Sequence, residues 1–260
     1  MKLAVTADGP PDAPVLVLAN PIGTSVGTWS QQVPVLARSF RVIRFEYRGH
    51  GPAGARSPAP AGPYSIAELG ADVLGLLGSL GIERFCYAGV SLGGMIGIWL
   101  AANAPERITS LAVVCSALEP LPSAQAWRER VAKVRAEGTG AIVDTVVPRW
   151  FTPAFLERSP EVVAAVVEGL KATSPDGYAG CGDAIARLDL RPLLPSVKSP
   201  TLVLSGAEDL AAPPVQGATA ALGIAGSRLS VIRGASHFAH VEKPGPVTDA
   251  LIRHFTATAL

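Results

Sequence analysis

An α/β domain built on a mainly parallel central sheet, flanked by helices and interrupted by a helical cap, is the fold class predicted for this 260-residue chain. Three observations predict it. Short apolar runs alternate with helical patterns through the first half, and strands alternating with helices imply a parallel sheet. The strand signal stops from about 119 to 190 and then resumes. Gly89-Val90-Ser91-Leu92-Gly93 stands between a strand-like run and a helix start, where a G-x-S-x-G turn belongs. Residues 1–118 and 191–260 therefore read as two parts of one core, and 119–190 as a cap inserted after the sixth strand.

The first strands are the apolar runs VLVLAN (15–20), RVIRFEYRG (41–49), RFCYAGV (84–90) and TSLAVVCSA (109–117). GPAGARSPAPAGP (51–63) suits neither helix nor strand and reads as a surface loop. After it, Ser65 and Glu68 form a capping box, Ile66, Leu69, Val73, Leu76, Leu77 and Leu80 share one helical face, and Gly81 ends the helix. AQAWRERVAKVRAEG and PEVVAAVVEGL carry the helical periodicity of the cap. Strands return at SPTLVLSGAED (199–209) and SRLSVIRGASH (227–237), and a last helix starts near Pro246.

Composition excludes several classes of partner. Forty-eight per cent of the residues are hydrophobic and 17% charged, as in a well-buried globular protein. Lys and Arg number 22 against 21 Asp and Glu, with no basic run, so nucleic acid is not an expected partner. The three cysteines, Cys86, Cys115 and Cys181, are widely spaced and read as reduced, buried thiols. The start, MKLAVTADGPPDAP, has too short an apolar stretch for a signal segment, and no run reaches the ~18 apolar residues of a membrane helix. A cytoplasmic protein with no membrane partner is expected.

The chemistry centres on Ser91. On a tight strand-to-helix turn its hydroxyl is exposed, and glycines two residues to either side remove Cβ atoms that would collide across the turn. A neutral hydroxyl is a poor nucleophile, so a histidine must accept its proton and an acid must hold that histidine in the right tautomer. Asp209 follows TLVLSG and His237 follows LSVIRG, giving the chain order Ser, Asp, His at the C-terminal ends of parallel strands. Glu208 is the rival acid and His240 the rival base; His50 reads as a turn residue and His254 as part of the last helix. Backbone donors for an oxyanion are expected from Leu92, just after the nucleophile, and from Ile22 in Asn20-Pro21-Ile22-Gly23-Thr24, because Pro21 has no N–H. This is the α/β-hydrolase arrangement. No metal is expected, since no Cys or acidic cluster accompanies His237 and His240, and no cofactor is needed.

The segments NPIGTSVGTW, RVIRFEYRGHG, GPYSIAELGADVLGLLGSLGIERF, GVSLGGMIGIWLAANAPERI and SPDGYAGCGDAIARLDLR together resemble 3-oxoadipate enol-lactonases across nearly the whole chain. The core motifs are shared by many α/β-hydrolases, whereas DGYAGCGDAIARLDLR in the cap is characteristic of the enol-lactonases. The resemblance implies Ser91, Asp209 and His237 as the triad, Ile22 and Leu92 as oxyanion donors, and an enol-lactone of aromatic catabolism as substrate. This chain departs from the family pattern in having Glu46-Tyr47 where Asp-Thr is usual, Gly182 where a second Cys is usual, and Leu92 where Met is common. The triad is untouched by these changes, and the cap sets specificity, so a carboxylesterase or another lactonase is the rival reading and a ligand receptor of the same fold the next.

The implied substrate is a small, anionic lactone or ester, which calls for a cation or convergent polar donors in the pocket. Trp127 and Arg130 lie three apart on a predicted helix and share a face. The pattern alone fits equally a core-facing Trp beside solvated Arg128, Arg130, Lys133 and Arg135; the resemblance assigns the pair to the substrate. Trp150 and Tyr178 are further pocket candidates. The oligomeric state has no signature in the sequence.

Overall fold

The computed structural model describes residues 3–54 and 59–258. Among these, seven strands form one sheet: β1 (Val5–Asp8), β2 (Val15–Ala19), β3 (Arg41–Phe45), β4 (Phe85–Val90), β5 (Ile108–Val114), β6 (Thr201–Gly206) and β7 (Arg228–Ile232). Their order is β1-β3-β2-β4-β5-β6-β7, with β1 antiparallel to β3 and every other pair parallel. Side chains alternate between two cores. Leu16, Leu18, Val42, Cys86, Ala88 and Val114 pack with Trp29, Phe40 and Phe255 on one face, while Val17, Ile43, Tyr87, Val113 and Val203 pack on the other. All of β4 is buried, which gives the strand leading to Ser91 a rigid base.

The crossover helix α1 (Ile66–Ser79) starts in a complete capping box: Glu68 N donates to Ser65 Oγ at 3.2 Å, and Ser65 N donates to Glu68 Oε2 at 2.7 Å. Its buried stripe is Ile66, Leu69, Val73, Leu76 and Leu77, each worth about 1.5–3 kcal/mol when fully buried. Leu80, expected on that stripe, is instead 37% exposed, because as the C-cap residue at φ −94° and ψ 2° it has left the helical spiral. Helix α2 (Leu92–Asn103) follows Ser91 and is buried on nearly every side.

Three other expectations change. The segment before Val15 contributes β1, which sequence patterning missed because this edge strand is only four residues long and mostly exposed. The proline-rich stretch from Pro10 to Pro14 forms turns and no strand, so among the described residues five strands, not six, precede the insertion. Gly51–Gly54 make one helical turn where a loop was expected, with Pro52 supplying the right φ near its start; the rest of that stretch to Ser57 and Pro58 lies outside the described residues.

Between β5 and β6 stand α3 (Ala124–Glu137), α4 (Val143–Trp150), α5 (Pro153–Arg158), α6 (Pro160–Lys171) and α7 (Pro175–Ala186). Helix α3 buries Trp127, Val131 and Val134, one side of the spiral, and packs on α7, where Gly182 leaves room for Val131 and Trp127. After β6 the chain forms α8 (Pro214–Gly223), then β7 and the closing helix α9 (Pro244–Thr258). Among the described residues no helix is long and apolar enough to cross a membrane.

Candidate active site

Ser91 takes φ 54° and ψ −115°, a backbone conformation that an L-residue adopts only when its surroundings enforce it. The enforcement is visible. A Cβ on Gly89 would overlap the Gly93 carbonyl, and one on Gly93 would overlap Ala19 O, so the strand and helix close on each other only with glycine at both places. Ser91 N donates to Val114 O at 3.0 Å, and Ser116 Oγ donates to Ser91 O at 2.8 Å. Leu92 is the first residue of α2 and is fully buried beneath the serine.

The loop after β6 buries Asp209 and turns Glu208 outward, so the rival acid faces solvent. Ala211 N and Ala212 N both donate to Asp209 Oδ1 at 2.8 Å, and Oδ2 lies 2.9 Å from His237 Nδ1. A carboxylate can only accept, so Nδ1 carries the proton and Nε2 of His237 is left as the acceptor. His240, the rival base, is fully buried against Trp29 at 4.9 Å; neither ring nitrogen has a partner, and burial together with His237 pushes it down to about 3. It packs rather than faces the site. His254 lies in α9, with Nε2 at 2.8 Å from Ser110 Oγ.

Ser91, His237, Ile22, Trp127, Arg130, Trp150 and Tyr178 line one cavity of about 50 Å³, with Asp209 behind His237. Arg130 lies over the Trp127 ring at 4.3 Å, and the Trp127 indole N–H donates to Leu121 O at 3.0 Å. Tyr178 is fully buried, and that burial pushes its phenol up. Trp150 stacks on Phe238 at 4.8 Å.

Arg149 and Glu119 also line the cavity, and sequence reasoning had overlooked both. Arg149 is held below the ordinary guanidinium value, first by burial and then by the charge of Arg130. Its Nη2 donates to Leu210 O at 2.8 Å. Glu119 is 3.1 Å from Arg191. Among the described residues neither Arg130 nor Arg149 forms an ion pair with a carboxylate, so the cavity keeps two guanidiniums free to meet an anion. The one available clue to Arg149 was its place beside Trp150.

The cap is sewn to the loop that carries the histidine. Phe238 N donates to Trp150 O at 3.0 Å, and Ser236 Oγ to Arg149 O at 3.3 Å. Buried Glu242 accepts from Thr152 N (3.0 Å), Thr152 Oγ1 (2.8 Å) and Ser236 N (3.2 Å).

Comparison with known proteins gives the family. Residues 14–244 match the alpha/beta hydrolase fold family. The 3-oxoadipate enol-lactonase 2 of Acinetobacter baylyi is 39% identical over 243 residues, covering 94% of this chain and 89% of the relative. The chain belongs to the 3-oxoadipate enol-lactonase family of α/β-hydrolases. Acinetobacter baylyi's 3-oxoadipate enol-lactonase 1 is 31% identical, covering 93% of this chain and 88% of that one. The crystal structure of the enol-lactonase from Burkholderia xenovorans LB400 superposes with a TM-score of 0.93 at 41% identity, covering 98% and 96% of the two chains. As an enol-lactonase family member the protein is a carboxylic ester hydrolase.

Proposed function

We propose that this protein opens the ring of 3-oxoadipate enol-lactone, with Ser91 as nucleophile, His237 as base and Asp209 as the acid that orients it. The observation that carries the reading is one cavity holding the strained serine, the acid-paired histidine and two guanidiniums without a carboxylate ion-pair partner. Nε2 of His237 takes the Ser91 proton as Oγ attacks the lactone carbonyl. The developing oxyanion is met by the N–H groups of Ile22 and Leu92. As the ring C–O bond breaks, the His237 imidazolium returns the proton to the leaving enolate oxygen, and the freed enol, still part of the acyl chain carried on Ser91, tautomerises to a ketone. Water activated by His237 then frees the acid.

Arg130 and Arg149 hold the substrate's carboxylate, and Trp127, Trp150 and Tyr178 enclose its ring. No cofactor or metal takes part in these steps, and the partner is a small anionic molecule, not a membrane or nucleic acid. Three free, buried thiols fit a cytoplasmic setting. The test is a parallel assay of purified protein on 3-oxoadipate enol-lactone and on p-nitrophenyl acetate. Faster turnover of the lactone is expected. Brisk release of p-nitrophenol with the lactone left intact would assign a general carboxylesterase instead.

A further inference from the structure

The loop that presents Ile22 has no helix or strand of its own, yet one neighbouring segment grips it on both sides. Tyr47 donates its hydroxyl to Asn20 O at 2.9 Å, and Gly23 N donates to His50 Nε2 at 3.0 Å. These bonds bracket Pro21-Ile22. His50 Nδ1 faces Arg48 O at 2.9 Å, a carbonyl that can only accept, so the proton sits on Nδ1 and Nε2 is an obligate acceptor. The two gripping rings brace one another edge-on at 5.5 Å. Gly23 itself, at φ +72°, has the Leu170 side chain and the Tyr178 ring where a Cβ would lie, which bars movement toward the cap.

We propose that His50, seconded by Tyr47, is a positioning residue for the hydrolysis: it holds the Asn20–Gly23 backbone so that the Ile22 N–H points at the developing oxyanion. This rests on the reading of Ile22 as an oxyanion donor. Packing does not account for the arrangement. His240 packs with both ring nitrogens unpartnered and His254 bonds to Ser110, Leu111 and Arg228, whereas His50, equally buried, ties the Gly23 backbone to Arg48 O through its two nitrogens. One of its two bonds goes to the backbone whose placement sets an oxyanion donor, and misplacing such a donor acts on the transition state more than on substrate binding.

The test compares His50→Leu, His50→Gln and Tyr47→Phe on p-nitrophenyl acetate, with thermal melts of each. Loss of a whole oxyanion donor lowers kcat by about 10²–10³, so a displaced one in His50→Leu should lower it about 10- to 100-fold with KM within about twofold. His50→Gln, whose amide oxygen can accept from Gly23 N, should recover much of that loss. Wild-type kcat in folded His50→Leu, or equal losses in the Leu and Gln variants, would overturn the proposal. If His50→Leu does not fold, Tyr47→Phe decides, because it removes a single hydroxyl: a several-fold fall in kcat at constant KM supports the grip, and wild-type kcat refutes it. Ser91→Ala in the same assay separates the levels. Retained turnover there sinks the serine-hydrolase reading itself, whereas a dead Ser91→Ala beside a fully active His50→Leu sinks the positioning role alone.

Discussion

Replacing Asp209 by Asn keeps the outline of the side chain and inverts one hydrogen bond. Oδ1 accepts from two backbone N–H groups, of Ala211 and Ala212, both at 2.8 Å, so the amide oxygen of Asn is forced into that position. The NH₂ group then faces His237 Nδ1 across the 2.9 Å contact, a donor where the carboxylate accepted. The ring answers by moving its proton to Nε2, and a protonated Nε2 cannot take the Ser91 proton. The expected loss in kcat is about 10⁴, equivalent to about 5.4 kcal/mol at ~1.36 kcal/mol per tenfold. The fold should survive, since all three contacts persist in some form. The assay is kcat and KM for p-nitrophenyl acetate beside a thermal melt. A loss smaller than about tenfold in a folded variant would refute the tautomer argument. Glu208→Gln is the control: its side chain faces solvent, and activity within about twofold of wild type is expected.

Two further outcomes follow from charges away from the serine. Arg130→Gln should raise KM for the anionic lactone by about tenfold or more, the worth of a charged hydrogen bond, and should harm the neutral ester less; equal losses on both would remove Arg130 from carboxylate binding. Glu46, buried, is pushed up from 4.5 to about 7 by desolvation. A folded-state value above the unfolded one means its contribution to stability is fully present below about pH 4.5 and is lost as pH rises through about 7. Urea melts at pH 5 and pH 8 should therefore show wild type losing about 1–3 kcal/mol relative to Glu46→Gln on the alkaline side, and a pH-independent difference would refute the assignment.

The parts of the fold legible in the sequence are those fixed by neighbours along the chain. The capping box at Ser65 and Glu68, the stripe of α1 and the buried runs of β2 to β6 each depend on residues a few positions apart. β1 escaped because a four-residue edge strand, mostly exposed, is too short to carry a clear alternation. Leu80 escaped because the spiral ends one residue earlier than its apolar spacing suggests. At the site, the strand-end rule brought Ser91, Asp209 and His237 into view, and the register of a single loop turned Asp209 inward and Glu208 outward. Arg149 and His50 were not legible for one reason. Their positions are set by contacts to Leu210 O and Gly23 N, and nothing in the local pattern around either residue announces such a contact.

The stitching between Arg149–Thr152 and the Ser236–Glu242 segment divides the insertion into two kinds of material. Helices α3 and α7 bring Trp127, Arg130 and Tyr178 to the cavity without bonds to the histidine loop, so a recombination event or a designer could exchange them and reshape the pocket while His237 stays where it is. Arg149, Trp150 and Thr152 belong mechanically to that histidine, because Glu242 ties Thr152 to the residue preceding His237. A chimaera cut through this seam would inherit a new pocket wall together with a misaimed imidazole. The natural crossover points therefore lie on either side of it.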